Sequence, residues 1–302
     1  MKTSTKLAMH IPPIRRMLER IECLENARKS LLAEKVALEV ERANDIVVAP
    51  ERALGVGDFA CTVCRETKAL TPFERRTGLE NDIFDLWMCL KCNAILNATH
   101  LREVAAGFNY AEIQASSSDD FYAVDQEYLA GVPGAIEADT FLSFLLQMYP
   151  ECPRGVAIDF GAGRGITAGA AAKHFDKVYA AELSLNVLKQ VHAVMPLREK
   201  IVVTDDYKSI PDRFDAIIST HVLEHLPDLR DVMGHLVEQL NASGAVFFQV
   251  PMLLKPHLHC VHYTFFSEAS CRALAIELGL EIVGVWYAHD HDFLNCIMRK
   301  PA

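Results

Sequence analysis

Four cysteines carry the plainest chemistry in the chain: Cys61-Thr-Val-Cys64 and, after 24 intervening residues, Cys89-Leu-Lys-Cys92. Each C-x-x-C turn points two thiolates and nearby backbone N–H groups at one place, so two such knuckles meet the needs of a tetrahedral zinc site. With four sulfurs on the ion no position stays open for catalysis, and Cys61, Cys64, Cys89 and Cys92 are expected to hold a structural Zn2+. The gap exceeds the commonest ribbon spacing, and a β-hairpin can take up the slack. Redox pairing and coincidence are the alternatives. Cys23, Cys152, Cys260, Cys271 and Cys296 are scattered and read as small buried apolar residues.

A second constellation is Asp159-Phe-Gly161-Ala-Gly163-Arg-Gly165. Glycines at a strand-to-helix turn let the backbone approach a ligand closely, and the helix N-terminus offers N–H groups. Ile166 stands where the dinucleotide fingerprint G-x-G-x-x-G needs glycine, which turns the reading away from NAD. Asp159 suits a cationic amino-acid tail better than a pyrophosphate. Glu182 ends the next strand, placed to accept both hydroxyls of a ribose. Asp206 follows the third strand, placed for an adenine amino group. Any one of these acids reads equally well as a helix cap or a solvated loop residue; the combination argues for a site. Thr220, ending the fourth strand, joins the cofactor-binding set.

Histidines are the natural bases at neutral pH. His221, just past the fourth strand, ranks first. The run Pro256-His257-Leu-His259-Cys-Val-His262 follows the fifth strand and could roof a substrate pocket, making His259 and His262 further catalytic candidates. His225 reads as turn packing, and His289 and His291 as a polar turn.

Together these residues resemble the class I S-adenosylmethionine-dependent methyltransferases over residues 156–250. Asp159 through Gly165 resembles their motif I, Glu182 the ribose-binding acid and Asp206 the adenine-side acid. Phe214-Asp-Ala-Ile-Ile-Ser-Thr-His-Val-Leu-Glu-His-Leu-Pro-Asp228 resembles motif IV and its sequel, and His262-Tyr-Thr-Phe-Phe-Ser-Glu resembles the closing segment. Arg164 departs from the small residue usual at its position. The resemblance implies S-adenosylmethionine as cofactor, in-line methyl transfer, and a last strand running antiparallel. His221-x-x-Glu224-His225 with His259 or His262 also resembles, with His for the first Glu, the metal motif of some methyltransferases acting on RNA 2′-hydroxyls; the same Leu-Glu-His-Leu run is common in metal-free relatives. A four-Cys ribbon ahead of such a domain is similar to bacterial methyltransferases acting on saccharide or natural-product precursors. Fold does not fix substrate, so a protein or RNA methyltransferase and a non-catalytic S-adenosylmethionine-binding scaffold stay open.

These residues need elements to hold them. Beyond residue 141 the pattern alternates. Strands are expected at 156–160, 177–182, 201–205, 214–220, 245–250, 281–287 and 293–299. Helices are expected at 138–149, within 161–175 after its Gly-rich turn, and at 184–195, 228–241 and 268–278. Ser243-Gly244 is expected to close the fourth of these, and Ser267 to cap the last, with an incomplete capping box because Ser270 replaces Glu or Gln. Repeated β-α units give an α/β fold with a doubly wound, mostly parallel seven-stranded sheet and its ligand at the strand carboxyl ends. Ahead of this domain (141–302) lie a long helix (1–45), the zinc module (46–105, opening on the connector 45–57) and a linker or helical lid (106–140). Residues 14–42 contain no Gly or Pro, and a heptad places Ile14, Ile21, Arg28 and Lys35 at a and Met17, Leu24, Leu31 and Leu38 at d. That stripe is expected to form a homodimer or a partner-protein contact.

Composition bounds the rest. The chain has 302 residues, is 51% hydrophobic and carries a formal charge of −10, which is globular and acidic. Residues 58–103 hold six Lys/Arg against seven Asp/Glu, so the zinc module has no basic footprint and nucleic acid is a poor partner. Residues 1–42 carry nine Lys/Arg against six Glu, which leaves the acidic excess in the later part of the chain and disfavours a polyanionic acceptor there. No apolar core long enough for a signal peptide follows Lys2 and Lys6 before Pro12-Pro13, and no run approaches the roughly 18–20 apolar residues needed to span a bilayer; a cytoplasmic protein with no membrane contact is expected.

Overall fold

A computed structural model describes residues 59–78, 82–108, 124–258, 260–288 and 292–302, all within one unit spanning Val48–Ala302. The heptad helix 14–42, and with it the dimer reading, lies outside the described residues, as do Cys23, His259, His289 and His291.

The larger sheet has seven strands. In chain order they are β4 (Val156–Phe160), β5 (Lys177–Ala181), β6 (Ile201–Thr204), β7 (Phe214–Thr220), β8 (Leu240–Pro251), β10 (Glu281–Tyr287) and β11 (Phe293–Arg299). Their order across the sheet is β10-β11-β8-β7-β4-β5-β6. The pairs β7–β8, β4–β7, β4–β5 and β5–β6 are parallel, whereas β11 runs antiparallel between β8 and β10. This is the doubly wound, mostly parallel sheet expected, with its antiparallel last strand. Strand alternation sends Ile158, Phe160 and Ile217 into one apolar layer, and Ala157, Ala216 and Ile218 into the layer on the opposite face. The strand order reverses between β4 and β7, which opens a crevice at their carboxyl ends.

Helices α4 (Ile166–Ala171), α5 (Leu185–His192), α6 (Leu229–Glu238) and α7 (Glu268–Leu278) connect these strands. Several helices are shorter than expected, and the largest change falls around Ser243-Gly244. Helix α6 ends at Gln239, and β8 starts at Leu240, ahead of Ser243-Gly244. Leu240 pairs with Phe214, and the register then jumps so that Ala245 pairs with Ala216. Ser243 and Gly244 serve this bulge: Ser243 adopts φ 60°, and a Cβ on Gly244 would lie 2.9 Å from Asn241 O and from Leu240 Cδ1. Helix α7 has a complete capping box, because the Ser270 hydroxyl takes the Ser267 N–H at 2.8 Å while Ser267 Oγ takes the Ser270 N–H at 3.2 Å. The short serine does what the expected glutamate would have done.

The cysteine module is a four-stranded sheet ordered β1 (Leu70–Thr77), β2 (Ile83–Cys89), β3 (Ile95–Asn97), β9 (Thr264–Phe265). β1 and β2 form the expected hairpin. The fourth strand comes from the loop before α7, so the module's sheet closes on the methyltransferase-like half. Thr62 Oγ1 meets Thr264 Oγ1 at 2.6 Å, and Asn97 N–H donates to Tyr263 O at 2.9 Å. After β3, helix α1 (Ala98–Ala105) completes the module, capped by Asn97.

Helices α2 (Gln126–Ala138) and α3 (Phe141–Met148) lead into β4. The stretch Gln126–Met148 is apolar enough by length and composition to cross a membrane, with mean hydropathy 1.3 over 18 residues, 28% of them buried. This departs from the expectation that no run comes near that test. The stretch is divided at Asp139-Thr140, which cap α2 and α3. Its Val132, Ile136, Leu142, Leu145 and Leu146 are buried in the layer beside β4.

Candidate active site

Three glycines shape the turn after β4. Gly161, Gly163 and Gly165 have φ of 76°, 51° and 80°, the left-handed region open to glycine. A Cβ on Gly161 would sit 2.2 Å from Val222 Cγ2, and one on Gly165 would sit 2.6 Å from Leu188 Cδ1 and from Met195 Cε. Each glycine is thus required by conformation or by contact. Helix α2 lies over the same turn: Ile136 packs on Gly169 of α4, and the Arg164 guanidinium lies 4.7 Å from the Tyr128 ring centroid. Arg164 therefore ties the turn to α2 by a cation–π contact.

Asp159 sits beneath this turn on β4, fully buried. Neither carboxylate oxygen has a hydrogen-bond partner among the described residues. Burial pushes its pKa up to about 7; the Ala168 backbone N–H pulls the other way without reaching hydrogen-bonding geometry, and Glu182 raises it further. Glu182 follows β5 and its carboxylate braces the crevice. Oε2 accepts the Gly163 N–H at 2.7 Å, and Oε1 accepts the Leu183 N–H at 2.8 Å. Leu183, beside it, is 66% exposed and turns an apolar side chain outward. Asp206, after β6, is exposed and caps a short 3-10 turn by accepting the Lys208 N–H at 3.1 Å. Thr220 is half-buried at the end of β7.

His221 leaves β7 with φ 57°, a conformation rare for a side-chain-bearing residue, and its N–H donates to Gln249 O at 2.9 Å. Its ring meets Phe293 edge-on at 4.8 Å. Gln249 Nε2 donates to Asn295 Oδ1 at 2.7 Å, which turns Gln249 Oε1 toward His221 Nε2 at 3.1 Å. That network assigns the proton to Nε2 and leaves the lone pair on Nδ1. The ring is walled by protein although its side chain is 43% exposed, and this burial holds its pKa below 6.5. His221 is therefore neutral and able to accept a proton at pH 7. Gln249 and Asn295 were not marked by any sequence motif; their role depends on strand pairing between β8 and β11.

His225 and His262 gather near Glu224. Glu224 and His225 lie in the 3-10 turn Leu223–His225. His262 is buried, its Nδ1 lies 2.6 Å from His257 O, and its ring centroid is 4.5 Å from that of His225. His225, expected to be turn packing, is partly buried with Nδ1 2.9 Å from Val261 O. His257 stacks on Phe293 at 5.4 Å. Of the five cysteines outside the knuckles, Cys152, Cys271 and Cys296 are buried as expected, whereas Cys260 is exposed in this loop, where no apolar layer covers it.

The knuckle cysteines converge. Cys61 Sγ and Cys92 Sγ are 3.6 Å apart, as are Cys64 Sγ and Cys89 Sγ, and all four sulfurs lie within 4.8 Å of one another. These thiols are buried, which pushes Cys64 up to about 12 and Cys61 higher still, the neighbouring Cys92 thiol acting first on Cys61.

Comparison with known proteins agrees with this geometry. Residues 137–285 match the sequence profile of a methyltransferase domain. The fold is similar to the N-methyltransferase NodS of Bradyrhizobium japonicum WM9 bound to S-adenosyl-L-homocysteine, with TM-score 0.50 and 15% identity, covering 63% of this chain and 99% of that one. It is also similar to magnesium protoporphyrin IX methyltransferase of Synechocystis PCC 6803 with the same ligand, with TM-score 0.46 and 15% identity, covering 63% and 96%. No curated protein matches the chain. Over residues 137–285, just under half of its length, the chain is therefore similar in sequence to methyltransferase domains, and its fold is that of the N-methyltransferase NodS.

Proposed function

We propose that the chain binds S-adenosylmethionine in the crevice at the carboxyl ends of β4, β5, β6 and β7 and methylates a small polar acceptor such as a saccharide or natural-product precursor. The observation that carries the binding reading is Asp159. A fully buried carboxylate with no partner among the described residues is costly unless a cation meets it. A ligand ammonium beneath the glycine turn supplies that charge. Glu182 keeps lone pairs beyond its backbone bonds for ribose hydroxyls, Leu183 offers an apolar face to a base, and Asp206 stands at the adenine side with Thr220 nearer the reacting end.

When bound, S-adenosylmethionine supplies an electrophilic methyl group for in-line displacement. The chain's own task is to orient the acceptor, exclude water and take a proton. His221 performs the last step at Nδ1, its ring held by Phe293 and its tautomer set by Gln249 and Asn295. His262 is better suited to holding the loop that closes the pocket than to proton transfer, since it is buried and its Nδ1 faces a carbonyl. The acidic balance of the chain supports a neutral or cationic acceptor over a polyanionic one.

The four cysteines suit one structural Zn2+. Bonds of about 2.3 Å at tetrahedral angles put sulfurs roughly 3.8 Å apart, close to the two 3.6 Å pairs. The N-terminal stripe 14–42 serves self-association or a partner contact. Calorimetric titration of the full chain with S-adenosyl-L-homocysteine tests the central reading: Asp159→Asn should weaken binding at least tenfold, and unchanged affinity would refute it. A mass-spectrometric screen for methylated products from saccharide and small-molecule acceptors tests the substrate class.

A further inference from the structure

Glu224 is a second fully buried carboxylate, 0% exposed, and neither of its oxygens has a hydrogen-bond partner among the described residues. Two imidazole nitrogens face its Oε1: His225 Nε2 at 3.7 Å and His221 Nδ1 at 3.9 Å. Both separations are too long for hydrogen bonds. They are near what a shared ion gives, because bonds of about 2.0–2.2 Å at tetrahedral angles place ligand atoms roughly 3.4 Å apart. One ligand atom each from Glu224, His225 and His262 lies within 4.8 Å of the other two.

The tautomers agree. His225 Nδ1 is 2.9 Å from Val261 O, and His262 Nδ1 is 2.6 Å from His257 O. A carbonyl only accepts, so both rings carry their proton on Nδ1 and present the Nε2 lone pair. An N–H donated to a carbonyl is also how metal-bound histidines are oriented. The backbone fixes the two segments together, since Tyr263 N–H donates to Glu224 O at 2.8 Å and Asn97 Nδ2 donates to His262 O at 3.2 Å.

We propose that Glu224, His225 and His262 form a divalent-cation site, distinct from the four-cysteine cluster, at the end of β7 beside His221. One carboxylate and two imidazoles suit Mn2+, Co2+ or Zn2+, and three protein ligands leave positions open. His221 Nδ1 lies 3.9 Å from the same Glu224 oxygen. This site does not rest on the methyl-transfer reading, and its test does not use activity.

Mn2+ is the probe, because it favours carboxylate and imidazole over the thiolates of the cysteine cluster. The full chain is titrated with Mn2+, and the free ion is read by electron paramagnetic resonance. One saturable site per chain is expected. Glu224→Gln, which keeps the side chain's shape, and His262→Asn should each weaken binding by more than the roughly 10–100-fold that losing an outer-shell partner costs. Their cysteine-bound zinc content and circular dichroism should stay unchanged. No saturable Mn2+ binding to the parent chain would overturn the proposal, as would undiminished binding in either folded variant. A parallel S-adenosyl-L-homocysteine titration separates this outcome from failure of the cofactor reading.

Discussion

Asp159→Asn should make the ligand-free protein more stable and a worse binder at once. Folded Asp159 holds its proton to about pH 7, against an ordinary 3.8. Between those values the folded state binds more protons than the unfolded state, so this residue's contribution to stability falls as pH rises and is fully lost above pH 7. The interval is worth about 4 kcal/mol at 1.36 kcal/mol per tenfold. Asparagine carries no charge, so the variant escapes this cost at pH 8.5 and gains little at pH 5, where the parent carboxyl is already neutral. About 4 kcal/mol would move the melting temperature of a unit this size by roughly 8–16 °C, a ceiling that water penetration lowers. A gain of about 4 °C or more at pH 8.5, with little change at pH 5, is expected by differential scanning fluorimetry. In the parent, affinity for S-adenosyl-L-homocysteine should fall as pH drops below about 7, because the ammonium then meets a neutral acid. The variant should show no such pH dependence. If parent and variant melt with the same pH profile, the buried unpartnered carboxylate is not as described and the cofactor argument built on it fails.

Gly161→Ala combines a left-handed φ with a Cβ 2.2 Å from Val222 Cγ2. It should cost about 2–5 kcal/mol by thermal melting, and Val222→Ala should restore part of that. Cys64→Ser should reduce bound zinc from one equivalent to well below half, by elemental analysis, and lower the melting temperature, because Cys64 lies in the same apolar layer as Phe248 and Leu274. His221→Gln should lower kcat by about 10²–10⁴-fold once an acceptor is found, while the parent's rate should decline only below pH 6.5, since the His221 pKa is depressed. Ser270→Ala should cost about 1 kcal/mol by removing one arm of the α7 capping box.

Much of the larger sheet was legible because its strands are short apolar runs bounded by turn residues, as in Val156–Phe160 and Phe214–Thr220. Ser243 and Gly244 misled the reading of β8: the same residues that end helices also make bulges, and only the pairing with Phe214 tells the two apart. β9 could not be read, since two residues carry no periodicity and its partner β3 lies about 170 positions earlier. In the site, Asp159 and the glycines announced themselves by spacing along one turn, and Glu182 by its place at the end of the next strand. Gln249, Asn295 and the isolation of Glu224 are properties of side chains from separate strands and loops, and appear only when the strands are in register.

The small sheet also sets an order of events. Its hairpin is among the first parts of the described chain to be synthesised, yet its fourth strand, Thr264–Phe265, emerges nearly two hundred residues later. Such a distant pairing is slow to form and pays its loop-closure entropy late. Until then the β3 edge is an open template for stray strands. The nascent chain thus guards an unfinished edge throughout synthesis of the parallel sheet. A ribosome that stopped before residue 264 would release a product with that edge exposed, marking it for chaperones and proteases as incomplete.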